Sequence, residues 1–129
     1  MSSTPSTTVP AGSQGETERV AESEAEIATL LSALEDDDCR AILEATSDQA
    51  LSTAELCEQC DLSTSSAYRK VDELTEAGLL QESVRLRPSD AHTSEYRLAV
   101  SKLEISLGNG QLELSVTSRR ADRSAIFAD

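Results

Sequence analysis

The side chains in this chain that could do chemistry form two groups: an acid-free run of hydroxyl and basic residues, and three cysteines. The run is Thr64-Ser65-Ser66-Ala67-Tyr68-Arg69-Lys70, preceded by Ser63, and the acids Asp72, Glu73 and Glu76 all follow it. The chain carries 24 acidic residues against 11 basic ones, a formal charge of -13, so a stretch without carboxylates departs from its surroundings. Short hydroxyl side chains at a helix start permit close approach to phosphate and can donate to it. An arginine such as Arg69 can reach a guanine edge with two hydrogen bonds. A second acid-free stretch, Ser83 to Ser89, places Arg85 and Arg87 on one face of an alternating segment, suited to straddling a phosphate backbone or probing a minor groove. His92 and Arg97 lie in the segment that follows. Each feature also has an ordinary explanation: serines cap helices, and arginines keep exposed strands soluble.

Cys57 and Cys60, at i and i+3, share a helix face, and Cys39 could approach from a neighbouring helix. Three thiolates would suit a thiophilic metal. Free cysteine is more often simply core, and core packing is the preferred reading here, so no metal or cofactor is expected. His92 stands alone in a loop, as a wing-tip polar contact or a plain exposed residue. Nothing points to catalysis: the chain has no nucleophile elbow, no phosphate-cradling glycine loop and no second histidine.

The elements that must position these residues follow from periodicity. Ile27, Leu30, Leu31 and Leu34 recur at helical spacing. Glu35 to Asp38 then offers an N-cap and first-turn acids for a helix carrying Cys39, Ile42, Leu43 and Thr46, which is either separate or a kinked continuation. Leu51-Ser52 is a bridging strand. Ser52 or Thr53 with Glu55 opens the next helix, with Leu56, Cys57 and Cys60 inward, and Asp61-Leu62-Ser63 makes a turn. A helix over Thr64 to Ala77 follows, with Ser63 as N-cap, Ala67, Val71 and Leu74 as buried stripe, and Gly78 as its left-handed stop. Two helices joined in this way are a helix-turn-helix, whose second helix can enter a major groove. Val84 to Val100 reads as a hairpin, its strands joined by a loop from Pro88 to Thr93. A second hairpin follows: with Asn109-Gly110 as a type I′ turn, Leu107, Ile105 and Leu103 fall opposite Leu112, Leu114 and Val116.

The expected fold class is therefore α+β, a winged helix-turn-helix of three to four helices plus a β-wing, with an additional C-terminal β-hairpin. Residues 1–24, rich in Ser, Thr, Pro, Gly and Glu, are expected to be a disordered tail, 25–101 the winged domain, 102–117 the hairpin extension and 118–129 a flexible tail. No apolar run suggests a signal peptide or membrane span, and few, unpaired cysteines suit a reducing cytoplasm. Lys70 and Lys102 are the only lysines. Acid-rich, lysine-poor surfaces suit molar salt, where the Debye length of ~3 Å mutes both self-repulsion and repulsion from phosphate.

The segments ALEDDDCRAILEA, LSTAELCEQCDLSTSSAYRKVDELTEAGLL and RLRPSDAHTSEYRL resemble the winged helix-turn-helix transcriptional regulators of the ArsR-like group, especially the small acidic ones of salt-loving archaea. The resemblance covers about half the chain, from Ala33 to Val100. It implies a DNA-binding transcription factor with Thr64, Ser65, Ser66, Tyr68 and Arg69 at groove-facing positions and a wing over 84–100. Metal sensors of that group use a Cys-x-Cys on the second helix, where this chain has Ser65 and Ser66. The expected function is a sequence-specific regulator of double-stranded DNA acting as a homodimer, with DNA-binding residues Ser63, Thr64, Ser65, Ser66, Tyr68, Arg69, Lys70, Arg85, Arg87, His92 and Arg97. The alternative is a winged-helix protein–protein adaptor that leaves DNA alone, which the overall acidity favours.

Overall fold

In the computed structural model, which describes residues 16–86 and 92–119, Asp36 decides how the first helical region divides. Its backbone is extended, and its carboxylate accepts from the backbone N of Cys39 at 2.9 Å. One helix ends there and another begins: α1 (Glu24–Glu35) and α2 (Asp37–Ala45) are separate. Asp37 and Asp38 in the first turn of α2 face the positive end of its dipole. Thr46 ends α2, fully buried, with its hydroxyl donating to Ile42 O at 2.9 Å.

A short strand, β2 (Leu51–Ser52), leads into α3 (Thr53–Cys60). Ser52 and Glu55 form a reciprocal capping box: Glu55 N donates to the Ser52 hydroxyl, and Ser52 N donates to the Glu55 carboxylate. Asp61 then takes the left-handed conformation (φ 58°), which turns the chain sharply. Ser63 caps α4 (Thr64–Glu76) by accepting from Ser66 N, and Gly78, also left-handed (φ 83°), lets the chain leave it. Next come β3 (Leu80–Leu86) and β4 (His92–Leu98), paired from Leu80↔Leu98 to Leu86↔His92, with β2 on the other side of β4. The wing therefore starts at Leu80, four residues earlier than alternation at Val84 suggested. His92 and Thr93, expected in the loop, belong to β4 because the ladder continues to them. Arg87 and the loop to Ala91 lie outside the described residues.

β4 passes through Ala99 into β5 (Val100–Ser106), which pairs with β6 (Glu113–Ser118). Ile105 faces Leu114 and Leu103 faces Val116, in the expected register. The turn differs. Residues Gly108–Gly110 wind as a 3-10 turn closed by Gln111 N to Gly108 O, so the ladder stops at Ser106↔Glu113 and Leu107 does not pair with Leu112. On the far side of β6 lies β1 (Thr17–Val20), in register from Thr17↔Ser118 to Val20↔Ser115. For Thr17 to Val20 this corrects the expectation of a tail without structure over residues 1–24. A backbone ladder, rather than apolar side chains, orders this segment, so composition alone did not reveal it. Arg119 is also held, its N donating to Ala99 O and its guanidinium to Ser47 O at 2.9 Å; residues 1–15 and 120–129 lie outside the described residues.

The fold is a winged helix-turn-helix with a second, three-stranded sheet ordered β1-β6-β5. Leu30, Ile42, Leu56, Leu74, Leu79 and Leu114 are fully buried, so α1 to α4, the wing base and the terminal sheet share one core. Burying each such side chain contributes about 1.5–3 kcal/mol. Among the described residues, no helix is long and apolar enough to cross a membrane.

Candidate nucleic-acid interface

The outward face of α4 is set by which residues its core stripe uses up. Ala67, Lys70, Val71 and Leu74 point inward, leaving Thr64, Ser65, Tyr68, Arg69, Asp72, Glu73 and Glu76 exposed. The first four fill the N-terminal half and the three acids the C-terminal half. The N-terminal half thus presents hydroxyls, a phenol and a guanidinium, while Ser63 and the partly buried Ser66 are engaged in the cap. No acid occupies the first turn, which leaves the positive end of the helix dipole free to favour an anion.

The two sides of this face have different neighbours. The buried Tyr96 of β4 has its phenol pKa raised, by burial first and then by the charge of Glu82, with smaller contributions from Asp72 and Tyr68. Tyr68 and Asp72 thus lie within electrostatic reach of Tyr96 on the wing. Arg69 and Glu73, a turn of about 100° further round, line a shallow groove with Thr29 and Ser32 of α1 and with Asp36. Arg69 is well exposed, its guanidinium 3.7 Å from the Glu73 carboxylate. A pair so open to solvent is worth little, and leaves Arg69 available to a stronger anion.

Two of the other basic residues do not match their expected roles. Lys70 is buried, only 8% exposed, and its Nζ lies 2.9 Å from Asp36 Oδ2. It points back under α4 to the junction of α1 and α2, because it falls on the same helical stripe as Val71 and Leu74. The Lys70 ammonium, with the Cys39 amide, holds the Asp36 carboxyl down at about 2, and Asp36 in turn raises Lys70. Lys70 is a structural cation, not a groove contact.

Arg85 is the second correction. Its guanidinium donates to both Glu55 carboxylate oxygens, at 3.0 and 3.2 Å, and through Nε to Glu95 at 2.8 Å. Glu95 is its diagonal neighbour across the wing ladder, and Glu55 reaches it from the first turn of α3. Arg85, followed by the Ser52 amide, holds Glu55 at about 2, and the two glutamates push the Arg85 pKa up. The side chain expected to straddle phosphates instead ties the wing to the helix-turn-helix. Arg69 and Arg85 thus have different neighbours: Arg69 lines the groove beside α1, and Arg85 is held by Glu55 at the start of α3 and by Glu95 of the wing. On the wing, His92 is exposed at the end of β4 and Arg97 is half-buried next to Tyr96.

Sequence reasoning had seen Glu55 only as a cap and Asp36 only as a helix start. Their second roles depend on partners about thirty positions away. Glu95 was passed over. Its position opposite Ser83 on the strand carrying Arg85 was the available signal, since diagonal cross-strand pairs of opposite charge attract.

Cys39 is buried, and Cys57 and Cys60 are half-buried. Burial, reinforced by Asp36, pushes the Cys39 thiol up to about 11. Burial also raises Cys60, helped by Asp38 and Cys57. Both are pushed toward the thiol, the form that binds metals poorly. Among the described residues, no group of three or more His, Cys, Asp or Glu is placed to hold a metal ion.

These features define a winged helix-turn-helix with an exposed, acid-free recognition-helix front. Residues 34–82 match the family model described as a helix-turn-helix domain, which spans α2 to the start of β3. Among solved structures, the chain is similar to reduced HlyU from Vibrio cholerae N16961. The two are 28% identical, with a TM-score of 0.49, over 57% of this chain and 73% of that one. A second structure of HlyU from Vibrio cholerae N16961 is also 28% identical, with a TM-score of 0.45, over 57% of this chain and 75% of that one. Comparison with the curated proteins finds no match.

Proposed function

We propose that this chain is a sequence-specific DNA-binding transcriptional regulator of the ArsR-like group, acting in the cytoplasm as a homodimer and without catalytic activity. The observation that carries this reading is the segregation on α4. In a chain of net charge -13, the outward front of the second helix of a helix-turn-helix holds Thr64, Ser65, Tyr68 and Arg69 and no carboxylate. In this reading the front enters the major groove, with Arg69 reading a base edge and Thr64 and Ser65, helped by the helix dipole, meeting phosphate. His92 and Arg97 are the wing residues offered to the backbone, Arg85 sets the wing's position, and Arg87, outside the described residues, is kept as a further candidate contact. Acidity elsewhere is tolerated because molar salt screens it.

A second reading, an adaptor that binds protein, has one specific observation in its favour: the wing arginine Arg85 is already satisfied by two glutamates. The two are separated by amide chemical-shift mapping as duplex DNA is titrated in over a range of salt. A regulator shows changes concentrated at residues 63–69 that saturate. An adaptor shows none at any salt concentration.

A further inference from the structure

Strand β5 is the outermost strand of the sheet β1-β6-β5, and among the described residues its far edge has no partner. An unpaired edge is a row of free backbone donors and acceptors, a ready template for another strand. What suits this edge is shown by its charges. Lys102 and Glu104 flank Leu103 symmetrically, both largely exposed, and their contact with one another is a loose 3.8 Å. Antiparallel pairing of two β5 strands about a two-fold axis at Leu103 sets Lys102 opposite Glu104 of the second copy, and Glu104 opposite its Lys102. A twofold interface must be self-complementary, and opposite charges directly across a ladder attract.

The other face of the strand agrees. Leu103 and Ile105 point to the side of the sheet where Leu114 and Val116 are buried, yet Ile105 is 50% exposed and Leu107, just beyond, 70%. The same pairing lays Leu103 against its own counterpart and joins two incomplete apolar strips.

We propose that two copies of this chain dimerise through β5, edge to edge, into one six-stranded sheet centred on Leu103. This supplies the interface for the homodimer in the functional reading above. It is read by mass alone, so its failure leaves the DNA assignment of α4 untouched, and failure of DNA binding leaves it untouched in turn.

The test is light scattering on the full chain at the lowest salt that preserves its circular dichroism spectrum. The wild type is expected at twice the chain mass of 13.8 kDa. Lys102→Glu alone and Glu104→Lys alone place like charges opposite one another, so each weakens association at least ~10-fold. An equimolar mixture of these two variants restores both attractive pairs and is expected to recover the dimer, as is the double swap Lys102→Glu with Glu104→Lys. A protein unable to fold would give neither recovery, and its spectrum would show it; the double swap, which keeps the strand's composition, then serves as the deciding variant. A monomeric wild type would overturn the proposal and make Lys102 a residue that prevents edge pairing. Dimers that survive both single substitutions, or single variants that stay monomeric when mixed, would overturn it as well.

Discussion

Replacing Asp36 tests how the recognition helix is fixed to the body of the domain. Asp36 does two things with one carboxylate: it caps α2 through Cys39 N and holds the buried Lys70 ammonium of α4 at 2.9 Å. Losing an N-cap to alanine costs about 1 kcal/mol. Leaving a buried polar donor without its partner costs about 1–3 kcal/mol, and the lower end applies because Asp36 is itself about one-third exposed. Asp36→Ala is therefore expected to lose about 2 kcal/mol in urea unfolding at neutral pH. Asp36→Asn keeps an equally good cap and loses only the charge, so about 1 kcal/mol is expected. The sign of the pH dependence follows from Asp36 lying at about 2 in the fold against an ordinary 3.8. Its contribution is complete above about pH 4 and is lost as pH falls toward 2, so the gap between wild type and Asp36→Asn should close over that window. Lys70→Met should lower stability in a non-additive way with Asp36→Asn, yet leave DNA affinity and its salt dependence unchanged. If Lys70→Met weakened DNA binding without affecting stability, Lys70 would be a phosphate ligand and its assignment as a structural cation would be wrong.

Arg85→Ala should lower the melting temperature by freeing the wing from α3, and the deficit should shrink as pH drops from the ordinary glutamate value of 4.5 toward the value of about 2 at which Arg85 holds Glu55; an unchanged melting curve would show the network to be idle. Glu55→Gln should be milder than Glu55→Ala, because glutamine preserves the capping box while losing the charge; thermal unfolding separates the two. Raising potassium chloride from ~0.1 M to ~2 M should increase the melting temperature, since it screens the self-repulsion of a chain of charge -13. At pH 8, Cys39 should resist alkylation longest in a mass-resolved time course, with the less buried Cys57 modified well before it.

The helix-turn-helix was legible because its punctuation is local. Ser52 with Glu55, Ser63 with Ser66, and Gly78 each act within a few positions, and those caps form where the sequence placed them. The register of the terminal hairpin was legible because alternation has a period of two, and a slip by one residue would have exposed Leu114 and Val116. Its turn was less so: Asn-Gly is permissive of several conformations, and a longer 3-10 turn kept the same register. β1 could not be read, since it pairs with residues nearly a hundred positions away and contributes no apolar stripe of its own. The interface residues divide in the same way. The exposure of Thr64, Ser65, Tyr68 and Arg69 follows from helical periodicity. That Lys70 and Arg85 are occupied follows only from where α2, α3 and β4 come to rest.

Selection of bound sequences from a random duplex library, run in molar salt with the wild type and Arg69→Ala, tests most directly whether the front of α4 reads DNA. A short consensus should emerge with the wild type, and Arg69→Ala should lose preference at one base pair, a change of about 1–3 kcal/mol there. Enrichment that is absent at every salt concentration, or a consensus identical for both proteins, would contradict it.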